Sequence, residues 1–243
     1  MSVLPPDVNI DDLVVVLVQM IRTNRRSELA SKIDAHPDPG TIGSAFNSSI
    51  KKLYREYKDV PHMLVAGEAG VAYCLNRANL ESDPNKATEL QKLARAIAYN
   101  TAVNCWPGWG DADIVIDESN INAGIKIAQQ CLDLTQQLAL GPRALGGAHW
   151  LIGTLELAAH RFDAARVEFE HAERIYHYDE SLPAYVLMAR GYLALTGKAD
   201  PHSRSENAET LTQALDRLRA DGSKDAIFFA DQIATANRLL FEE

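Results

Sequence analysis

Cysteine is scarce in this chain. Cys74, Cys105 and Cys131 are the only three among 243 residues, and none belongs to a C-x-x-C pair. Neither a disulfide framework nor a cysteine zinc site is therefore written into the sequence, which reads as cytoplasmic. Glycine and proline are also few, 14 and 10. They fall mostly between periodic segments, which excludes low-complexity sequence and suits long helices. Positive charge is in deficit, with 24 Lys and Arg against 33 Asp and Glu for a net charge of −9, so nucleic acid and anionic membrane surfaces are poor partners. A spanning or signal segment is missing too: Leu13 to Met20 is interrupted by Gln19, followed by Arg22 and preceded by no Lys or Arg. The chain has no G-x-G-x-x-G, G-x-S-x-G or H-E-x-x-H, and Gly191 to Gly197-Lys198 lacks phosphate-loop spacing. No catalytic residue, cofactor or metal is expected from motifs.

What is present is an ordinary globular balance, 47% hydrophobic and 23% charged, that can bury a core. Apolar residues at i, i+3, i+4 and i+7 predict helices over 10–24, 41–58, 62–79, 85–104, 119–139, 142–159, 162–177, 182–196, 205–220 and 223–241. Pro61, Pro84, Pro142 and Pro183 stand at the openings of four of these, where a missing N–H costs little. Asp83, Ser119 and Ser181 are placed to cap first turns. Asp11 and Asp12 at the start of the first helix and Arg22, Arg25 and Arg26 at its end suit the helix dipole. Ile114-Val115-Ile116 is the nearest thing to a strand, and it is too short and too closely flanked by aspartates to seed a sheet.

Short turns between antiparallel helices suggest stacked hairpins. In 146–179, Ile152 and Gly153 are followed by Phe162, Ala165, Phe169 and Ala172, and the first-helix pattern recurs at Tyr185, Met188, Ala189 and Tyr192. This resembles the tetratricopeptide repeat family, in which a small residue sits where two helices cross and Ala, Phe and Ala follow along the second helix. The resemblance is best over 142–220. A weaker echo lies upstream at Ala66, Ala69, Gly70 and Tyr73, with Ala94 and Ala98 on the following helix. The pattern departs from the family in the 36-residue offset from Gly153 to Ala189, in His160 at a usual turn glycine, and in a long 197–204 loop.

The resemblance implies an all-α superhelix, or solenoid, of stacked antiparallel helical hairpins. As one domain over 1–243 it would comprise N-terminal capping helices over 1–60, hairpin repeats over 61–222 and a capping helix over 223–243. By the family register, Trp150, Thr154, Val186 and Arg190 would line the inner groove, as a peptide-binding face enriched in hot-spot residue types. For Trp150 the alternative is a core tryptophan, shifted one position from its usual place. Asn76, Asn100 and Asn104 offer side-chain amides suited to an extended peptide backbone.

Other chemistry is thin. Glu168 and His171 form one E-x-x-H pair on a single helix, without the second copy that a di-iron bundle needs. Asp111, Asp113, Asp117 and Glu118 lack the spacing of a calcium loop and read as an acidic linker. Trp106-Pro107-Gly108-Trp109-Gly110 must either tuck its rings onto the body or hold them for a partner. The leading expectation is a non-enzymatic adaptor or scaffold for a protein or peptide. Its rival is a helical hydrolase or metal-dependent enzyme using Glu68, Glu156, His149 and His160. A third reading is a structural homo-oligomer joined through an exposed terminal helix.

Overall fold

The computed structural model describes residues 9–34, 36–200, 202 and 209–242, and among them all regular structure is helical. The helices are α1 (Ile10–Arg22), α2 (Arg26–Asp34), α3 (Pro39–Arg55), α4 (Val60–Leu80), α5 (Pro84–Val103), α6 (Glu118–Gln137), α7 (Pro142–Ala158), α8 (Phe162–His177), α9 (Pro183–Ala199), α10 (Leu211–Asp221) and α11 (Lys224–Phe241), with a 3₁₀ turn at Pro107–Trp109. None is long and apolar enough to cross a membrane.

The prolines do open α4, α5, α7 and α9, each in the first two positions, and Asp83 caps α5 through the Asn85 N–H. Other boundaries differ from expectation, each for a local reason. α2 was not foreseen, because a nine-residue segment shows little period; Leu29 and Ile33 are its buried apolar residues among the described side chains. It is held by packing on α1. α6 is capped by Asp117, not Ser119: Asp117 accepts the Asn120 N–H while the Asn120 side chain accepts from the Asp117 backbone, so two free donors are satisfied together. Ser181 gives its hydroxyl to Asp179, and α9 begins without a side-chain cap. α10 starts at Leu211 behind a capping box of Thr210 and Gln213; the expected start at 205 lies outside the described residues. α9 continues to Ala199, which takes up the first part of the expected 197–204 loop, while 201, 203 and 204 are outside the described residues.

Residue contacts divide the chain into two compact units. One holds α1 to α5 with Asp113–Val115; the other holds Cys105–Ala112 and α6 to α11. In the first unit α3 is the central element, packed on α1, α4 and α5. Its Ile42, Ala45, Phe46, Ile50 and Leu53 are inaccessible to solvent, each such large side chain stabilising the fold by about 1.5–3 kcal/mol. Of the upstream residues, Ala66, Gly70, Tyr73, Ala94 and Ala98 are buried. Ala66, Ala94 and Ala98 are fully buried, and a Cβ on Gly70 would come within 2.8 Å of Phe46.

In the second unit each helix packs on the next in order: α6 on α7, α7 on α8, α8 on α9, and α9 on both α10 and α11. Gly153 and Ala165 lie at the α7–α8 crossing, where a Cβ on Gly153 would meet Phe169 at 2.7 Å and Ala165 is fully buried. His160 closes α7 in the left-handed region at φ +56°. The Arg161 N–H returns to the Glu156 carbonyl at 2.9 Å, the backbone pattern that usually selects glycine at that point. The Trp106–Gly110 loop is tucked in. Trp106 is completely buried, and Gly110, at φ +70°, passes so close to Leu239 and Thr235 of α11 that a side chain there would collide.

Candidate functional site

The residues expected to form a groove separate into three groups. Trp150 is 5% exposed and Thr154 fully buried, so both belong to the interior of the second unit. The reason lies in α7 itself. Every residue from Ala148 to Leu155 is buried, because this stretch packs against α6 and α8 and against the tryptophan loop, which leaves Trp150 and Thr154 no open groove to line. Thr154 turns its hydroxyl back to the Leu151 carbonyl at 2.8 Å. Val186 and Arg190 are half-buried on α9. There the Arg190 Nε donates to Glu173 Oε1 of α8 at 2.7 Å. Asn76, Asn100 and Asn104 belong to the first unit: Asn76 is exposed on α4, Asn100 donates to Asn47 Oδ1 at 2.8 Å, and Asn104 ends α5.

Trp150 sits in an aromatic cluster. Its ring meets Trp109 edge-on at 6.4 Å and Tyr192 at 5.9 Å; Tyr192 also meets Trp106 at 6.3 Å and stacks on Phe169 at 5.1 Å. Such pairs add about 0.5–1.5 kcal/mol each beyond burial. Burial drives the Tyr192 hydroxyl far above the ordinary phenol range, and the indole N–H groups of Trp150 and Trp106 beside it pull it back only in part. None of these three buried polar atoms makes a well-aligned hydrogen bond.

The sequence left one histidine and the E-x-x-H pair unconnected, and folding joins them. Glu168 and His171 are i and i+3 on α8, hence on one side of that helix, and the side they face is α7. His149 of α7 points its Nδ1 to within 2.7 Å of Glu168 Oε2, and its ring stands edge-on to His171 at 5.1 Å and 82°. One ligand atom from each of the three lies within 4.8 Å of the others. The side chains of His149 and Glu168 keep 11% and 22% of their surface accessible, so the trio borders solvent. A signal for it existed. The α7–α8 crossings are Gly146 on Tyr176 and Gly153 on Phe169; His149 falls between the two glycines and His171 between the two rings.

The acid and base residues of the rival enzyme reading do not converge. Glu68 is exposed on α4 of the first unit, Glu156 pairs with Arg161, and His160 lies exposed between the rings of Phe162 and Phe241. The acidic linker also divides. Asp113 pairs with Lys58, which lowers its pKa. The Ser119 hydroxyl and Asn120 N–H do the same for Asp117 at the α6 cap. The first unit has an open cleft of about 960 Å³ that includes Ile10, Asp38, Thr41, Leu90 and Lys92. Its Asp38 is held below the usual carboxylate range by the Thr41 hydroxyl and by the α3 N–H groups it caps. In comparison with known proteins, no family model and no curated protein matches the chain.

Proposed function

We propose that this chain is a non-enzymatic adaptor that holds a protein or peptide segment against stacked helical hairpins, in the manner of the tetratricopeptide repeats it resembles. The observation that carries the reading is the sequence-ordered packing of α7, α8 and α9, with Gly153, Ala165 and Ala189 buried at or near the helix contacts. The ligand face is the α9 side bearing Val186 and Arg190. An arginine there combines contact area with a directed donor, and its guanidinium keeps N–H groups beyond the one used on Glu173. A net charge of −9 favours basic or neutral partners through short-range steering. Cys74, Cys105 and Cys131, all buried and none in a disulfide, support a cytoplasmic location. The test is binding of the purified chain to an arrayed peptide library. Retention of a consistent peptide class that is lost in Val186→Asp with Arg190→Glu, at unchanged circular dichroism, is expected; retention indifferent to that double variant sinks the α9 face.

A second reading has one observation in its favour. α11 exposes Ile227, Phe228 and Leu239, apolar area that suits contact with a second copy. A concentration-dependent dimer mass in light scattering, abolished by Phe228→Asp, supports it; a monomer at all concentrations excludes it.

A further inference from the structure

We propose that His149, Glu168 and His171 form a binding site for a divalent transition-metal ion of the zinc class. Two imidazoles and one carboxylate are a donor set suited to zinc, cobalt, nickel or copper ions, and not to calcium or magnesium, which take oxygen ligands.

The geometry favours such an ion on three counts. Around a tetrahedral ion with bonds of about 2.0–2.1 Å, ligand atoms stand about 3.3 Å apart. Here the His149–Glu168 pair is closer than that, at 2.7 Å, and all three atoms fall within 4.8 Å, so small rotations about side-chain torsions bring the set to coordination distance. The ion takes the place of the hydrogen-bond proton between His149 Nδ1 and Glu168 Oε2, and the neutral imidazole carries its single proton on Nε2. The backbone that carries the ligands is rigid, because α7 and α8 are locked at Gly146 and Gly153 against Tyr176 and Phe169, and a prearranged site loses little ordering entropy on binding. Finally, the partly accessible side chains of His149 and Glu168 give an ion a route in and leave a fourth position for water. That is the three-ligand pattern of open zinc sites.

The test uses the full chain, stripped of metal with chelator and desalted, and titrated with Co²⁺ or Zn²⁺ alone. One Co²⁺ per chain is expected, with visible absorption bands of a low-coordinate site that disappear as one equivalent of Zn²⁺ is added. His149→Ala, Glu168→Gln and His171→Ala should each weaken binding more than about tenfold, at least the loss that removing an outer-shell partner brings. His177→Ala, an exposed histidine on the same helix, should leave it unchanged. A readout independent of folding variants is imidazole ¹⁵N resonance in the unmodified chain, where Zn²⁺ should shift two histidines and no others. Absence of one-to-one binding overturns the site, as does binding that survives all three substitutions, or zinc-induced shifts spread over the remaining histidines; the trio is then an ion-paired hairpin contact only.

Discussion

A Cβ built on Gly153 comes within 2.7 Å of the Phe169 ring, so at this crossing α7 and α8 touch where no side chain fits. Gly153→Leu should destabilise the protein by about 1–3 kcal/mol through overpacking, and Ala165→Phe by a similar amount because Ala165 is fully buried in the same seam. Urea midpoints at constant m-value measure both; unchanged midpoints would remove the crossing.

Trp150 lies in the aromatic cluster between Trp109 and Tyr192, with 5% of its surface accessible. Trp150→Ala should cost about 3–5 kcal/mol from lost burial and the cavity left behind. Thermal unfolding would show this as a drop of several degrees, against a negligible drop for a residue on a ligand face.

Arg190 offers the contrast. Its ion pair with Glu173 is 38% and 28% accessible at the two side chains, and pairs of this kind contribute about 0.2–1 kcal/mol. Arg190→Ala should therefore leave the melting temperature nearly unchanged while peptide retention falls. A large stability loss would reassign the residue to a structural role.

Ala139 follows the end of α6 with φ +47°, and the Leu140 N–H reaches back to the Thr135 carbonyl at 3.1 Å. A left-handed alanine carries a strain of about 1–2 kcal/mol that glycine lacks, offset in part by glycine's greater unfolded-state entropy of about 0.5–1 kcal/mol. Ala139→Gly should accordingly raise the urea midpoint slightly. A lowered midpoint would mean that the left-handed closure of α6 is wrong.

Burial pushes the Cys74 and Cys105 thiols up to about 12. In the unfolded chain a thiol ionises near about 8.5, so from there upward the unfolded state releases protons that the folded state keeps. Stability tied to these groups is complete below that pH and declines as pH rises toward 12. Denaturation midpoints at pH 8 and pH 10 should differ in that direction, and less so in Cys74→Ala with Cys105→Ala. Both thiols should react with a disulfide reagent only on unfolding.

Helix positions were legible because their causes are local. Pro84 behind Asp83, or the spacing of Phe162, Ala165, Phe169 and Ala172, acts within a few residues, and the structure places helices and small-residue contacts there. α2 was not legible, since Leu29 and Ile33 in a nine-residue segment make little period, and it is its packing on α1 that holds it. The Asp117 cap escaped notice because Ser119 and Asn120 are equally good capping types, and only backbone geometry chooses among them.

The sequence by itself determined an all-helical chain with small residues at α7–α8, since period, proline and capping chemistry are properties of neighbouring residues. Tertiary structure alone decided that Trp150 and Thr154 are interior: α6, α8 and the tryptophan loop close over that stretch of α7, and how neighbouring helices dock cannot be read from one helix's pattern. Tertiary structure also decided that His149 meets Glu168 and His171. The 19-residue separation between His149 and Glu168 is bridged only when the hairpin folds, and which side chains then meet depends on how far α8 slides and rotates against α7.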